Sequence, residues 1–228
     1  VKVSKNGQEI VESTSTILSI TLSWYLPMRH WKNNELIGQA YSQHFASATE
    51  VATLAETREH LSSVLRDAAA LQSLHFNNTL LPLWLQDGLV NSVSALYKTG
   101  MWLGDGRYRQ FESFSCPQVE NPHIQKPRIL AALHLLPTLE RSELMLHLDK
   151  QTTDKATGAG MVAEDFGGSP MDTVCAGPRG DDNAVVILDV MANVKWTADG
   201  EAWLKQVWAK VKSVIQWQLR QAQMLGTM

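Results

Sequence analysis

Along residues 17–24 the chain alternates. Leu18, Ile20, Leu22 and Trp24 fall on one side, and Ile17, Ser19, Thr21 and Ser23 on the other. A period of two with many β-branched residues predicts a strand, ended by Pro27. Asn6-Gly7 fits a hairpin turn joining that strand to Val1–Val3. The period then changes. Phe45, Ala48, Val51, Ala52, Ala55, Leu61, Val64, Leu65 and Ala68 recur at helical spacing and predict one long helix over 42–71. After a polar loop, Pro82 suits a first helical turn, and Leu85, Leu89, Val93 and Leu96 carry a second helix to about Lys98. Gly100, Gly104 and Gly106 break the pattern and announce short strands near 100–116. Further helices are predicted over 127–136, stopped by Pro137, and over 139–147, 184–195 and 200–223. Residues 149–182 lack periodicity, and a loop of that length in a compact domain is functional or disordered.

Composition narrows this picture only slightly. A chain of 228 residues with 44% hydrophobic and 19% charged residues can bury a core of one or two domains. A net charge of -3 gives no electrostatic reason to bind nucleic acid or an anionic surface. Membrane association is left open, and no segment reads as a transmembrane helix or signal peptide, which favours the cytoplasm. Two cysteines, Cys116 and Cys175, are too few for a disulfide framework. Eight tryptophans suit sugar faces, but most are expected in the core or at a domain interface. No CxxC or HExxH pattern occurs, so no metal site or cofactor is expected. The nucleophile elbow G-x-S-x-G is absent too.

The stretch from Tyr108 to Glu140 concentrates the candidate chemistry. It places Glu112 among Phe111, Ser113 and Phe114, then runs through Cys116-Pro117 and Asn121-Pro122-His123. Two X-Pro steps keep 116–122 extended or turning. The run FES..CPQVENPHI, followed by LLPTLE, resembles the catalytic-domain signature of glycoside hydrolase family 116, which contains bacterial β-glucosidases and the non-lysosomal glucosylceramidase. The resemblance extends more loosely over almost the whole chain. ITLSWYLP resembles the last strand of that family's β-sandwich, LPLWLQDGLVNSVSALY its LPxWLxxxLxN helix, and KWTADGEAWLKQVWAKVKSVIQW its WTGDxxFLxxxWPxVKxAxEW segment.

The resemblance implies a mainly α fold with a short N-terminal β segment. Residues 1–30 would be the end of a β-sandwich or a linker, and 31–228 the first half of an (α/α)6 toroid of the six-hairpin glycosidase type. It implies a retaining β-glycosidase acting on a β-linked glucoside or glycolipid such as glucosylceramide. Retention needs two carboxyl groups, one nucleophilic and one acting as acid and then base. Counting back from Pro137 sets the nucleophile on Glu112. His123 takes the place of a sugar-contacting aspartate, and Glu164 that of a histidine, so one imidazole and one carboxylate are kept with positions exchanged. Asp165 is implied to bind substrate or hold its loop, and Asp181 matches a helix-start segment where a substrate role competes with N-capping, as it does for Asn183. Arg179 could pair with Asp165 or Glu164.

Each residue also has a plain reading. Glu112 and Glu164 would be solvated acids, His123 a loop histidine bonded to backbone, and Arg179 part of an ion pair that only orders a loop. The resemblance places Glu112, His123 and Glu164 on one concave face. The family's general acid lies beyond the last helix seen here, and the chain starts with Val and ends inside a helical pattern, so an inactive fragment is expected. Two alternatives stay open: a non-catalytic helical interaction module or degenerate paralogue, and the same fold acting on β-xylosides or N-acetylglucosaminides.

Overall fold

The computed structural model describes residues 2–5, 8–11, 20–30, 36–76, 80–112, 119, 121–125, 129–153, 158–166, 174–176, 180–224 and 226. These are mainly helical. The calls on Asn6-Gly7, on 12–19, on Cys116-Pro117 and on Arg179 lie outside them.

At the N-terminus β1 (Lys2–Lys5) pairs antiparallel with β2 (Gln8–Val11), with Lys5 opposite Gln8. Among the described residues the partner of the first strand is therefore the segment directly after Asn6-Gly7. Residues 20–26 form no ladder, and Ile20 and Leu22 are 86% and 82% exposed. Alternation supplies an apolar face, but a strand also needs a neighbour to complete its backbone bonds. Here isolated contacts hold the segment instead. Ser23 Oγ donates to the Ala48 carbonyl, Leu26 N–H donates to Tyr41 Oη at 2.7 Å, and Tyr25 packs edge-on to Tyr41. A short antiparallel pair follows, β3 (Arg29–His30) with β4 (Leu36–Ile37).

The long helix expected over 42–71 is two. Residues Ala40–Gln43 form a 3-10 turn. Helix α1 (Ala48–Glu56) starts at Ser47, whose hydroxyl accepts from Glu50 N–H, while the Glu50 carboxylate accepts from Ala46 N–H. Thr57 ends it: its backbone is extended, and both its N–H and its hydroxyl donate to the Leu54 carbonyl. A hydroxyl that competes for helical carbonyls breaks a run that apolar spacing alone would continue. Helix α2 (Arg58–Phe76) then restarts. The second expected helix is likewise divided at Val93 into α3 (Leu83–Ser92) and α4 (Ser94–Thr99), and Pro82, expected in the first turn, is the extended residue just before it.

The glycine-rich turn makes the hairpin β5 (Gly100–Trp102) and β6 (Tyr108–Gln110). Gly106 has φ +90°, and a Cβ on Gly100 would collide with Tyr108 Oη and the Leu96 carbonyl. Helices α5 (Pro122–Gln125), α6 (Ile129–Leu135) and α7 (Pro137–Lys150) follow, with Pro137 opening α7. The stretch expected to be irregular contains two short strands, β7 (Asp165–Phe166) and β8 (Val174–Ala176). Two residues are too short to show a period.

Helices α8 (Asp182–Trp196) and α9 (Gly200–Met224) close the chain as a hairpin with a three-residue joint. The main core lies where they meet α7. Leu144 and Leu148 pack with Val162, with Val186 and Val190, and with Trp203, Val207, Val211 and Val214. Arg141 of α7 locks the joint. Its guanidinium donates to Asn193 Oδ1 (2.8 Å), Thr197 Oγ1 (2.7 Å) and both Asp199 oxygens (2.7 and 2.6 Å), and lies over the Trp203 ring. The tryptophan expectation fails in part. Among the described residues Trp203 and Trp217 are buried, but Trp24, Trp84, Trp102, Trp196 and Trp208 are exposed.

Candidate functional site

A three-segment ladder organises the region that carries the candidate residues. Phe111 bridges to Val119, and Val119 bridges to Phe166, all antiparallel. Val119 N–H donates to the Phe166 carbonyl at 2.9 Å, and Phe166 N–H donates to the Val119 carbonyl at 2.8 Å. Val119 and Phe166 are buried, so the crossing point is fixed by packing as well as by backbone bonds. Phe111 is tied back by its N–H to the Thr99 carbonyl and packs on Met101 and Leu103.

Each arm of the ladder carries candidate residues. Glu112 follows Phe111 directly, Asn121 and His123 follow Val119, and Glu164 and Asp165 precede Phe166. The three segments are therefore neighbours. Glu112 and Glu164 are half-buried, and Asp165 is buried. Among the described residues the Glu112 carboxylate makes no hydrogen bond or ion pair.

His123 meets α8. Its N–H donates to Asn121 Oδ1 at 3.1 Å, which sets the first turn of α5. Its Nδ1 lies 3.1 Å from Asp181 Oδ2 and 3.4 Å from Asp182 Oδ1. The His123 side chain is 23% exposed, Asp181 is 63% exposed, and Asp182 is fully buried. His123 Nε2 is enclosed, with no hydrogen-bond partner among the described residues. Thus His123 and Asp181 are brought into contact, and the plain reading of His123 as a backbone-bonded loop residue does not describe its ring.

The capping role read for Asp181 and Asn183 is not what they do. Asp181 is the residue before α8, but its side chain makes no cap bond. Its backbone is αR rather than extended (φ -101°, ψ -15°), and capping geometry needs the extended form. Asn183 lies inside the helix and is buried. Its Oδ1 accepts from Val162 N–H at 2.9 Å, and its Nδ2 donates to the carbonyls of Gly160 (2.7 Å) and Val214 (3.2 Å).

Behind the ladder lies a buried polar layer that the sequence reading missed. Gln110 Nε2 donates to Glu143 Oε2 at 2.9 Å. Arg109 Nη1 donates to the carbonyls of Tyr108 and Ser142. His147 packs edge-on to Phe166 at 5.3 Å between ring centroids. Burial first, and the nearby Arg109 charge second, hold its pKa down at about 3, so its imidazole is neutral. The available signal was Glu143 and His147, spaced i, i+4 between Leu144, Leu146 and Leu148 on a helix that buries nearly its whole width.

One group of described residues has donor atoms close enough to share a cation. His123, Asp181 and Asp182 lie within 4.8 Å of one another. The contact of Nδ1 with Asp181 at hydrogen-bond length accounts for the arrangement as an imidazole bonded to one carboxylate, with the Asp182 carboxylate 3.4 Å away. No helix among the described residues is long and apolar enough to cross a membrane.

Searches with this chain found no matching protein-family model and no significant match among curated proteins.

Proposed function

We propose that the chain carries the nucleophile and part of the sugar subsite of a retaining β-glycosidase, with a β-linked glucoside or glycolipid as substrate. The observation that supports this best is the ladder of Phe111, Val119 and Phe166, because it makes neighbours of the three segments that carry the family-like motifs. In this reading Glu112 attacks the anomeric carbon, forming a carboxylate–C1 bond as the C1–O bond to the aglycone breaks. A carboxylic acid outside this set gives the aglycone oxygen its proton. Water then attacks C1, its proton returns to that acid's conjugate base, and Glu112 leaves as carboxylate. Glu164 and Asp165 would accept from sugar hydroxyls, as carboxylates do. In the same reading the His123–Asp181 pair would also contact the sugar.

The fold proposed with this function is the first half of an (α/α)6 toroid over 31–228, preceded by the end of a β-sandwich. It is supported by the α8–α9 hairpin and the succession of helices with short joints. A rival reading, a helical interaction module, is favoured by the exposed apolar side chains Leu188, Met191 and Trp208 on that same hairpin.

A titration separates the readings. Gluco-, xylo- and N-acetylglucosamine-configured iminosugars are added to the chain while tryptophan fluorescence is followed. The proposal expects saturable binding with the gluco form tightest, weakened at least tenfold by Glu112→Gln, about 1.4 kcal/mol. Preference for another configuration reassigns the sugar, and no binding by any of the three favours the interaction module.

A further inference from the structure

We infer that Asp182 and Asn183 are positioning residues: adjacent on the first turn of α8, they tie the two arms of the ladder that carry His123 and Glu164–Asp165. For substrate binding, this rests on the glycosidase reading above. The tie itself rests on geometry alone.

Both side chains are buried at the start of a helix whose other buried positions are Val186, Asp189, Val190 and Asn193. Buried polar groups are costly unless bonded, so what these two side chains touch shows what they do. Successive helical side chains point about 100° apart, so neighbouring residues can reach two different segments. Asp182, with Asp181, faces His123 Nδ1. Asn183 holds Gly160 and Val162, two residues before Glu164. Its third bond, to the Val214 carbonyl, joins the same clamp to α9 and so to the main core. Gly160 has φ +93°, and a Cβ there would collide with the Ser213 carbonyl, so this arm lies flush against α9. The two arms meet again at the Val119–Phe166 bonds. The triplet Asp181-Asp182-Asn183 therefore closes a loop of contacts: α8 to His123, along the chain to Val119, across to Phe166, and back through Val162 to α8. The Asp181 bond, with the negative Asp182 carboxylate 3.4 Å from the same atom, also keeps the imidazole proton on Nδ1.

The test uses the complete 228-residue chain labelled with 15N, as wild type and as Asp181→Ala, Asp182→Asn and Asn183→Ala. Amide exchange reads the tie. In Asn183→Ala, exchange is expected to speed at least tenfold more at Val162, Val119 and Phe166 than at Val207 and Val211. Acceleration confined to Val162, or spread equally through α8 and α9, overturns the inference. The His123 ring reads the other half. The wild type should show a protonated Nδ1, and Asp182→Asn should raise the share of the other tautomer; an unchanged ring spectrum overturns this half. Should Asn183→Ala fail to fold, Asp182→Asn and the exposed Asp181→Ala carry the ring test, both with Val162 still protected. Iminosugar affinity is measured in parallel. A wild type that binds none defeats the glycosidase reading and leaves the exchange result standing. A wild type that binds, with variants that loosen the arms yet bind equally well, overturns the positioning role.

Discussion

His147 sits in the interior against Phe166 and beside Arg109, with neither ring nitrogen hydrogen-bonded among the described residues. Its pKa is lowered to about 3 from an ordinary 6.5. Between those values the unfolded chain binds a proton that the folded chain refuses, so stability falls as pH falls. The contribution is complete above about 6.5 and is lost progressively down to about 3, with a slope approaching 1.4 kcal/mol per pH unit. Urea unfolding at pH 7 and pH 5 should show a loss roughly 1–2 kcal/mol larger for wild type than for His147→Phe, which cannot titrate. Equal losses would place the imidazole proton elsewhere. Asn183 makes a second prediction at this scale. Asn183→Ala removes three buried bonds and strands the Val162 N–H, so a destabilisation on the order of 3 kcal/mol is expected in the same assay. Neither role was legible from residue type. Asn183 beside two aspartates reads equally as a cap, and only the path of the distant Gly160–Val162 segment reveals the clamp.

Among the elements, long periodic runs were readable and their interruptions were not. Helix α9 spans Gly200–Met224 against an expected 200–223, because Trp203, Val207, Val211 and Val214 form a sustained stripe. The run over 42–71 gave the same kind of stripe, yet Thr57 divides it through one hydroxyl. The signal for the true start, Ser47 three residues before Glu50, was present in the sequence and overlooked. Strands fared worse wherever they are two or three residues long, since their pairing depends on distant segments. The joint between α8 and α9 offers a test of how elements are locked. Arg141 binds three acceptor groups in a planar fork that lysine cannot copy. Arg141→Lys should therefore lower stability by roughly 1–2 kcal/mol despite keeping the charge, measured by denaturant midpoint with an unchanged m-value. A variant indistinguishable from wild type would mean that core packing alone sets the joint.

At the scale of the whole molecule, the sequence pointed to separate motifs and the structure gives their adjacency. Glu112, His123 and Glu164 lie up to 52 positions apart, and Val119 and Phe166 draw their segments together through two backbone hydrogen bonds. No pattern in the sequence exposes that crossing, because each contact in it is a single isolated bridge. The buried layer of Arg109, Gln110, Glu143 and His147 was illegible for a related reason: charged residues in helices and short strands read as solvated until their neighbours are known. The central claim is that Glu112 is the nucleophile, and covalent trapping tests it most directly. A 2-deoxy-2-fluoro-β-glucoside with a dinitrophenolate leaving group needs little acid assistance, and fluorine slows hydrolysis of the adduct. Incubation with the chain, digestion and mass spectrometry should place one fluoroglucosyl group on Glu112, with no labelling in Glu112→Gln. Equal labelling of Glu112→Gln, or the added mass on another carboxylate, would contradict the assignment.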